Sequence, residues 1–216
     1  MGAVVRVNQD NPQEDLVAQG IRVLLDQGCM VMPTDSVYGI GAALAPQNPG
    51  HERIFEIKKR ERTQTLPLLL ADPQGIVRFG QNVQDWVYPV IEQFWPGALT
   101  VVVKAASLVP KDYVAANGTI AVRVPDSELV RQLARGCGGA LAVTSANTHG
   151  APSPAAFDDL ESAVEENVDL VFDGGACPLG IASTIIDATG TEPQLLREGG
   201  VSFQAICDAA QARIPS

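Results

Sequence analysis

The sequence predicts an α/β fold, a single domain over residues 1–216 with a mixed sheet flanked by helices. Short apolar runs alternate with segments of helical periodicity from one end of the chain to the other. With 216 residues, 46% of them hydrophobic, the chain can bury a sizeable core without disulfides or metals. We expect roughly seven strands and five helices, in an order that the sequence leaves open.

The predicted strands are short runs rich in apolar and β-branched residues, bounded by turn residues. They are drawn from Val4–Val7, Cys29–Met32, Leu66–Ala71, Leu99–Lys104, Thr119–Val124, Ala140–Thr144, Leu170–Phe172, Thr184–Asp187 and Gln194–Leu196. The connections between these runs vary in length, which favours a mixture of parallel and antiparallel neighbours.

The predicted helices fill the intervals in which apolar residues recur at helical spacing. The first begins at an Asn11 cap followed by Pro12, and it ends near Gly28. The second begins at Asn48–Pro49 and ends in a basic cluster, Lys58–Arg62. The others are Val83–Phe94, a helix capped by Asp126 that runs through Ala134, and Ala155–Glu166.

Charge and targeting patterns narrow the classes of function. The formal net charge is −10, and an acidic chain repels the phosphates that normally dominate nucleic-acid affinity. A local basic cluster can still hold a small anion. We see no stretch of roughly 20 apolar residues and no signal peptide over residues 1–8, so we predict a cytoplasmic protein without a membrane partner.

Cysteine and histidine usage argues against a metal centre. Cys29, Cys137, Cys177 and Cys207 form no C-x-x-C pair, and we expect reduced, mostly buried thiols. The chain has only two histidines, which argues against a His-rich metal site and a Ser-His-Asp triad. We therefore predict no metal site made by the protein itself.

Polar residues recur where predicted strands begin or end. Ser36, Arg123, Ser145, Ser183 and Arg197 all occupy such positions. Any one of them alone is more often a turn hydroxyl or a surface arginine. Because ligands of open α/β sheets collect outside strand ends, the recurrence favours a binding site.

The basic cluster Lys58–Arg62 has two interpretations. Basic residues at the end of a helix complement its macrodipole, and the position suits that role. Lysine and arginine are also the residues that hold polyphosphates. The sequence contains no P-loop motif, so a nucleotide would have to be bound in another way.

Seven segments, in the same order, resemble the motifs of the YrdC-type L-threonylcarbamoyladenylate synthase family. Pro33–Gly39 is similar to P-T-[DE]-[TS]-V-Y-G, and residues 58–60 to K-x-R. The other five are Trp95–Thr100 (W-P-G-x-L-T), Val122–Pro125 (V-R-x-P), Ser145–Asn147 (S-A-N), Gly180–Asp187 (E-S-T-I-[IV]-D) and Leu196–Gly199 (L-R-x-G). The resemblance implies a twisted, open sheet with a large concave ligand-binding face, in the family's short, single-domain form.

The resemblance also implies a reaction. The amine of L-threonine captures bicarbonate as a carbamate, the carbamate attacks the α-phosphate of ATP, and pyrophosphate leaves. The product, threonylcarbamoyl-AMP, is the donor for threonylcarbamoyladenosine next to the tRNA anticodon, and separate transferase proteins would receive it. Such a step needs fixed cations and little covalent catalysis, and Mg²⁺ is the expected helper on the phosphates.

The family's site residues carry over onto twelve positions. Lys58 and Arg60 are implied to be the catalytic cations. The implied threonine-binding residues are Ser36, Arg123, Val143 and Ser183, with Arg123 as a fork for the carboxylate. The implied nucleotide-binding residues are Arg60, Gln64, Thr119, Ser145, Asn147, Ser153 and Arg197.

Three positions depart from the family pattern. Glu61 and Thr65 replace prolines after K-x-R, and Leu69 stands where some relatives have a threonine-contacting histidine. A carboxylate beside a phosphate is unfavourable unless it faces solvent or a metal. Two alternatives therefore stay open: a divergent carbamoyl-transfer paralogue with another acceptor, and an RNA- or ribosome-binding module on the same fold.

Overall fold

The computed structural model describes residues 2–62 and 64–211, and within them it contains eleven strands and seven α-helices. Strands β1 to β11 span Ala3–Arg6, Cys29–Met32, Gly39–Ala43, Leu68–Leu70, Gly80–Gln81, Leu99–Ala105, Thr119–Arg123, Ala140–Ser145, Leu170–Asp173, Thr184–Asp187 and Gln194–Arg197. Helices α1 to α7 span Glu14–Leu25, Pro49–Lys58, Gly75–Phe79, Val87–Phe94, Glu128–Gly136, Ser162–Glu165 and Phe203–Gln211.

All eleven strands belong to one mixed sheet, which confirms the predicted fold class. The order is β1-β9-β2-β3-β8-β4-β7-β6-β10-β11, and β5 pairs with β6 off this path. β10 lies parallel to β6, whereas β6 and β7 are antiparallel. None of the helices within the described residues is long and apolar enough to cross a membrane.

The expected total of about seven strands was too low, and the nine candidate runs included neither β3 nor the two-residue β5. The sequence of β3, Gly-Ile-Gly-Ala-Ala, is poor in β-branched residues, and its strand character comes from pairing on both sides. Met32 of β2 faces Gly39 of β3. Residues 33–38, which carry most of the Pro33–Gly39 motif, therefore form the loop of an antiparallel hairpin.

Two predicted helix starts were wrong by a few residues. Helix α1 begins at Glu14, because the Asn8 side chain accepts the backbone N–H groups of Asp10 and Asn11 and holds them in a turn. Helix α5 is capped by Ser127 rather than Asp126, since the Ser127 hydroxyl accepts the Val130 N–H. The Asn48–Pro49 start is confirmed, with the Asn48 side chain accepting the Gly50 N–H.

Other helix predictions failed where local turns compete with a continuous helix. Residues 155–166 form a 3₁₀ turn and the short α6, because the Asp159 carboxylate caps the N–H groups of Ala155 and Ala156. Helix α4 begins at Val87 rather than Val83. Helices α3 and α7 were missed altogether.

The two faces of the sheet are covered unequally, and this creates the site. One hydrophobic core covers one face of the sheet. The helices that contribute to it are α2, α3, α4, α6 and α7. Helices α1 and α5 pack on the opposite face, over β1, β9, β2, β3, β8 and β4. The side chains that β7, β6 and β10 turn towards this second face, such as Ala121, Thr100 and Ile185, lie outside both cores. This bare region is the concave face.

The backbone of helix α2 packs directly against the turn before β2. A Cβ atom on Gly50 would lie 2.4 Å from the Gly28 carbonyl oxygen, and backbone cannot move aside as a side-chain tip can. We predict that Gly50→Ala lowers the free energy of unfolding by about 1–3 kcal/mol through overpacking. Urea unfolding measures the change.

The matched control for this prediction is Gly190→Ala. The nearest atom to a Cβ at Gly190 lies 4.0 Å away, so the control should change stability by less than about 0.5 kcal/mol. Equal stability of the two variants would contradict the close packing of α2 on this turn.

Candidate active site

The bare part of the concave face encloses a cavity of about 420 Å³. Nine of the twelve predicted site residues line it: Ser36, Arg60, Gln64, Arg123, Val143, Ser145, Ser153, Ser183 and Arg197. The other three, Lys58, Thr119 and Asn147, lie outside the lining. Seven separate segments of sequence therefore converge on one hollow.

The cavity is cationic although the chain is acidic. Its lining contains Arg60, Arg123 and Arg197, and none of the described residues that line it is an aspartate or a glutamate. Burial lowers the pKa of each of these arginines, and the pKa of Arg197 is lowered further by the charge of Arg123. Because a guanidinium group is not deprotonated in proteins, all three arginines carry a positive charge. A hollow of this kind attracts anions.

The hairpin loop between β2 and β3 is held by the Thr34 side chain. The Thr34 hydroxyl accepts the N–H groups of Ser36 at 3.0 Å and Val37 at 3.3 Å, and it donates to the Val37 carbonyl at 2.8 Å. This turn is local to the motif, and it presents the Ser36 hydroxyl to Arg123 at 2.7 Å.

Arg123 is almost fully buried, and three neighbours orient its guanidinium. Nε donates to the Gly97 carbonyl at 2.8 Å, Nη1 to the Ser36 hydroxyl, and Nη2 to the Asp35 carboxylate at 2.5 Å. Of its five N–H donors, one on Nη1 and one on Nη2 remain. These two donors are available to a carboxylate in the cavity.

Asp35 was not among the predicted site residues, although it belongs to the first motif. Only 4% of it is exposed, and its second carboxylate oxygen has no hydrogen-bond partner within residues 2–62 and 64–211. A buried arginine needs a carboxylate partner, so an arginine inside a predicted strand indicated that such a partner exists. The sequence did not show which Asp or Glu residue the partner would be.

Thr100 is a second residue that sequence reasoning missed. It shares a face of β6 with Val102, lines the cavity, and its hydroxyl lies 2.8 Å from that of Ser183. Arg197 donates through Nη2 to the Ser183 carbonyl at 2.8 Å. The two hydroxyls and Arg197 thus form one polar wall of the hollow.

Arg60 enters the cavity with free donors. Its Nη2 donates to the Gln64 side chain at 2.8 Å, Nη1 lies 3.4 Å from the Thr144 hydroxyl, and the buried Nε has no partner among the described residues. Glu61, beside it in the chain, is exposed to solvent. The carboxylate at this unusual position therefore does not oppose a phosphate.

Lys58 supports the wall of the cavity from behind. Its ammonium donates to the carbonyls of Ser145 and Asn147, both at 2.5 Å. Burial, and then the charge of Arg60, lower the pKa of Lys58 to about 8. Its predicted catalytic role stays a prediction, and its position points to a role through these two residues.

Thr119 extends the concave face beyond the cavity. Thr119, Ala121 and Arg123 alternate along β7 and so share one face of the strand. Thr119 lies about 13 Å from Arg123 at the usual rise of a strand. Thr119 is buried, and its hydroxyl donates to the Asn117 side chain at 2.7 Å, so its predicted role in nucleotide binding stays a prediction.

The opposite wall is apolar. Leu69 of β4 and Val143 of β8 both line the cavity, and both were singled out from the sequence. Leu69 removes a hydrogen-bonding group that some relatives have at this position. Specificity for a polar ligand must then come from the hydroxyl side.

The chain offers Mg²⁺ no ligand set of its own within the described residues. No three His, Cys, Asp or Glu side chains are grouped to hold a metal ion there. Mg²⁺ is commonly held by substrate phosphates and water with few protein ligands.

All four cysteines are free thiols; Cys29 and Cys177 are buried and the other two half-buried.

The curated proteins similar to this chain include two threonylcarbamoyl-AMP synthases, one of them named as putative. A threonylcarbamoyl-AMP synthase of Pyrococcus abyssi (strain GE5 / Orsay) is 32% identical over 177 residues, which are 82% of this chain and 52% of that protein. A putative threonylcarbamoyl-AMP synthase of Mycobacterium tuberculosis (strain ATCC 25618 / H37Rv) is 35% identical over 83% of this chain and 82% of its own length. The chain thus spans about half the length of the first relative.

Among solved structures, Pyrococcus abyssi Sua5 complexed with L-threonine superposes with a TM-score of 0.88 and 28% identity. The superposition covers 96% of this chain and 60% of that one. The Sua5/YciO/YrdC family model, described as "Telomere recombination", matches residues 22–199. With its motifs gathered around one cavity, this chain belongs to the Sua5/YciO/YrdC family.

Proposed function

We propose that this protein is an L-threonylcarbamoyladenylate synthase, which makes threonylcarbamoyl-AMP and pyrophosphate from L-threonine, bicarbonate and ATP. The observation that carries the proposal is the cavity with three arginines and no lining carboxylate among the described residues. Such a site suits two anions that must meet, an amino-acid carboxylate and a polyphosphate. The similarity to proteins named threonylcarbamoyl-AMP synthase supports it.

The chemistry requires positioning more than a side-chain nucleophile. The threonine nitrogen forms a bond to the bicarbonate carbon, water is lost, and a carbamate results. A carbamate oxygen then forms a bond to the α-phosphorus of ATP while the bond from that phosphorus to the bridging oxygen breaks. Pyrophosphate carries away the bonding electrons. Fixed cations near the departing phosphates stabilise this transition state.

The residues divide into two ends of the hollow. Arg123 and the hydroxyls of Ser36 and Ser183 hold the threonine end, with the two remaining N–H donors of Arg123 on the carboxylate. Arg60 binds the phosphates, and Arg197, whose guanidinium donates to the Ser183 carbonyl at 2.8 Å, binds the nucleotide beside the threonine end. ATP brings Mg²⁺ with it, since the lining supplies no carboxylate ligand. The product passes to separate tRNA threonylcarbamoyl-transferase proteins.

Omission of single substrates tests the reaction. The purified protein with Mg²⁺ is expected to release pyrophosphate only when threonine, bicarbonate and ATP are all present, because the carbamate is the nucleophile. A coupled pyrophosphate assay measures the release. Release of orthophosphate, or a rate indifferent to threonine, would reject the proposal.

Arg123→Lys tests the threonine end. A lysine is a point charge and loses the two-pronged contact, so KM for threonine is expected to rise about 10- to 100-fold, the equivalent of about 1.5–3 kcal/mol. KM for ATP should change far less. The control is Arg135→Lys, an exposed arginine on α5, which should leave both constants unchanged. Equal weakening of both substrates would assign Arg123 a different role.

Selectivity among amino acids tests the hydroxyl wall. Serine lacks one methyl group, which is usually worth only about 1–3 kcal/mol, so it should be a poor but real substrate. Valine has no hydroxyl group to bond with the Ser183–Thr100 pair, so it should be nearly inert as a substrate. Ser183→Ala should narrow the threonine–valine gap in kcat/KM. Equal use of threonine and valine by the wild type would favour the paralogue with another acceptor.

A further inference from the structure

We infer that Lys58 is a positioning residue whose ammonium group fixes the turn Ser145–Asn147, and that Arg60 is the cation of the basic cluster that faces the phosphates. The identity of the ligand rests on the proposed function. The positions of the two cations do not, because they follow from the fold around them.

The end of helix α2 separates the two side chains. The helix ends at Lys58, and Lys59 adopts the left-handed conformation with φ of 51°. The chain therefore turns sharply between Lys58 and Arg60. Lys58 is 3% exposed and lies outside the cavity lining, Lys59 points to solvent, and Arg60 lines the cavity.

The ammonium group of Lys58 has no donor left for a phosphate. It donates to the carbonyls of Ser145 and Asn147 at 2.5 Å each, and the Asn147 side-chain oxygen lies 3.4 Å away. An ammonium has three N–H donors, and three acceptors surround this one. A buried cation with satisfied donors stabilises the groups around it and does not reach a ligand in the cavity.

The acceptors also distinguish this role from that of a helix-end cation. A cation that complements the macrodipole of α2 interacts with the last carbonyls of α2 itself. The Lys58 ammonium instead bonds to a segment that follows β8, 87 to 89 residues away along the chain. In return, the backbone N–H of His149 donates to the Lys58 carbonyl at 2.9 Å.

The turn is held from its other side as well. The Glu161 carboxylate accepts the Thr148 N–H at 2.7 Å and the Thr148 hydroxyl at 2.8 Å. The Asn147 side chain donates to the Ala151 carbonyl at 2.7 Å. Without the ammonium, the carbonyls of Ser145 and Asn147 would point at one another across an unfilled space. The turn would then relax, and the Ser145 hydroxyl would move with it.

Three substitutions of one type test the inference. Lys58→Met and Arg60→Met each remove one cation from the same cluster, and Lys59→Met removes an exposed one as the control. Hydrogen exchange is followed at residues 145–151 of the ligand-free protein. Lys58→Met should speed exchange there by at least tenfold, because the turn loses its anchor. Arg60→Met and Lys59→Met should leave the exchange unchanged.

Kinetics and pyrophosphate binding separate positioning from a structural defect. Lys58→Met should raise KM for ATP about tenfold with kcat within about threefold of wild type, while Arg60→Met should lower kcat by orders of magnitude. The salt dependence of inorganic pyrophosphate binding should become shallower in Arg60→Met and stay unchanged in Lys58→Met. A shallower dependence in Lys58→Met, with unchanged exchange of the turn, would overturn the inference.

A measurement on the wild type keeps the test decisive if Lys58→Met does not fold. Titration with inorganic pyrophosphate should shift the ¹⁵N side-chain resonances of Arg60 and leave the Lys58 ammonium resonance in place. A shift at Lys58 larger than that at Arg60 would overturn the inference. Exchange and pyrophosphate binding need no turnover, so a protein inactive with threonine would count against the proposed function alone.

Discussion

The buried guanidinium of Arg123 is the constraint on which the site depends. A charge that is only 6% exposed is tolerated when hydrogen bonds and a counter-charge surround it. Its three acceptors come from the β2–β3 hairpin loop and from the segment before β6. To satisfy one side chain of β7, the fold must therefore bring these segments together. The end of the cavity at Arg123 is a consequence of that requirement.

Unequal covering of the sheet explains why a cavity exists at all. Five helices contribute to the core on one face, whereas α1 and α5 cover only part of the other. Residues of β7, β6 and β10 on the bare part have no helix to pack against. Small and polar side chains such as Ala121, Thr100 and Ser183 are therefore acceptable there. The chain is acidic overall and repels anions, whereas the cavity lined by arginines attracts them.

Much of the site could be predicted from the sequence because its motifs are local. Within the Pro33–Gly39 segment the Thr34 side chain holds the turn, and Ser36 consequently lines the cavity. Thr100 and Asp35 were missed because their importance depends on partners more than 80 residues away. The side chains of Lys58 and Arg60 are separated because Lys59 adopts the left-handed conformation. No glycine stands at this position to predict that conformation from the sequence. Strand β3 was hidden for a similar reason, since pairing with β2 and β8 overrides its weak propensity. The extent of the domain, residues 1–216, stays a prediction.

The proposed function requires one cationic hollow to hold the amino acid and the nucleotide together, with the carboxylate at Arg123 and the phosphates at Arg60. A crystal structure with L-threonine and a non-hydrolysable ATP analogue would show both ligands at once. We expect the threonine carboxylate within hydrogen-bond distance of Nη1 and Nη2 of Arg123, and phosphate oxygens on Arg60. Phosphates bound outside the cavity, or a carboxylate that pairs with another cation, would contradict it.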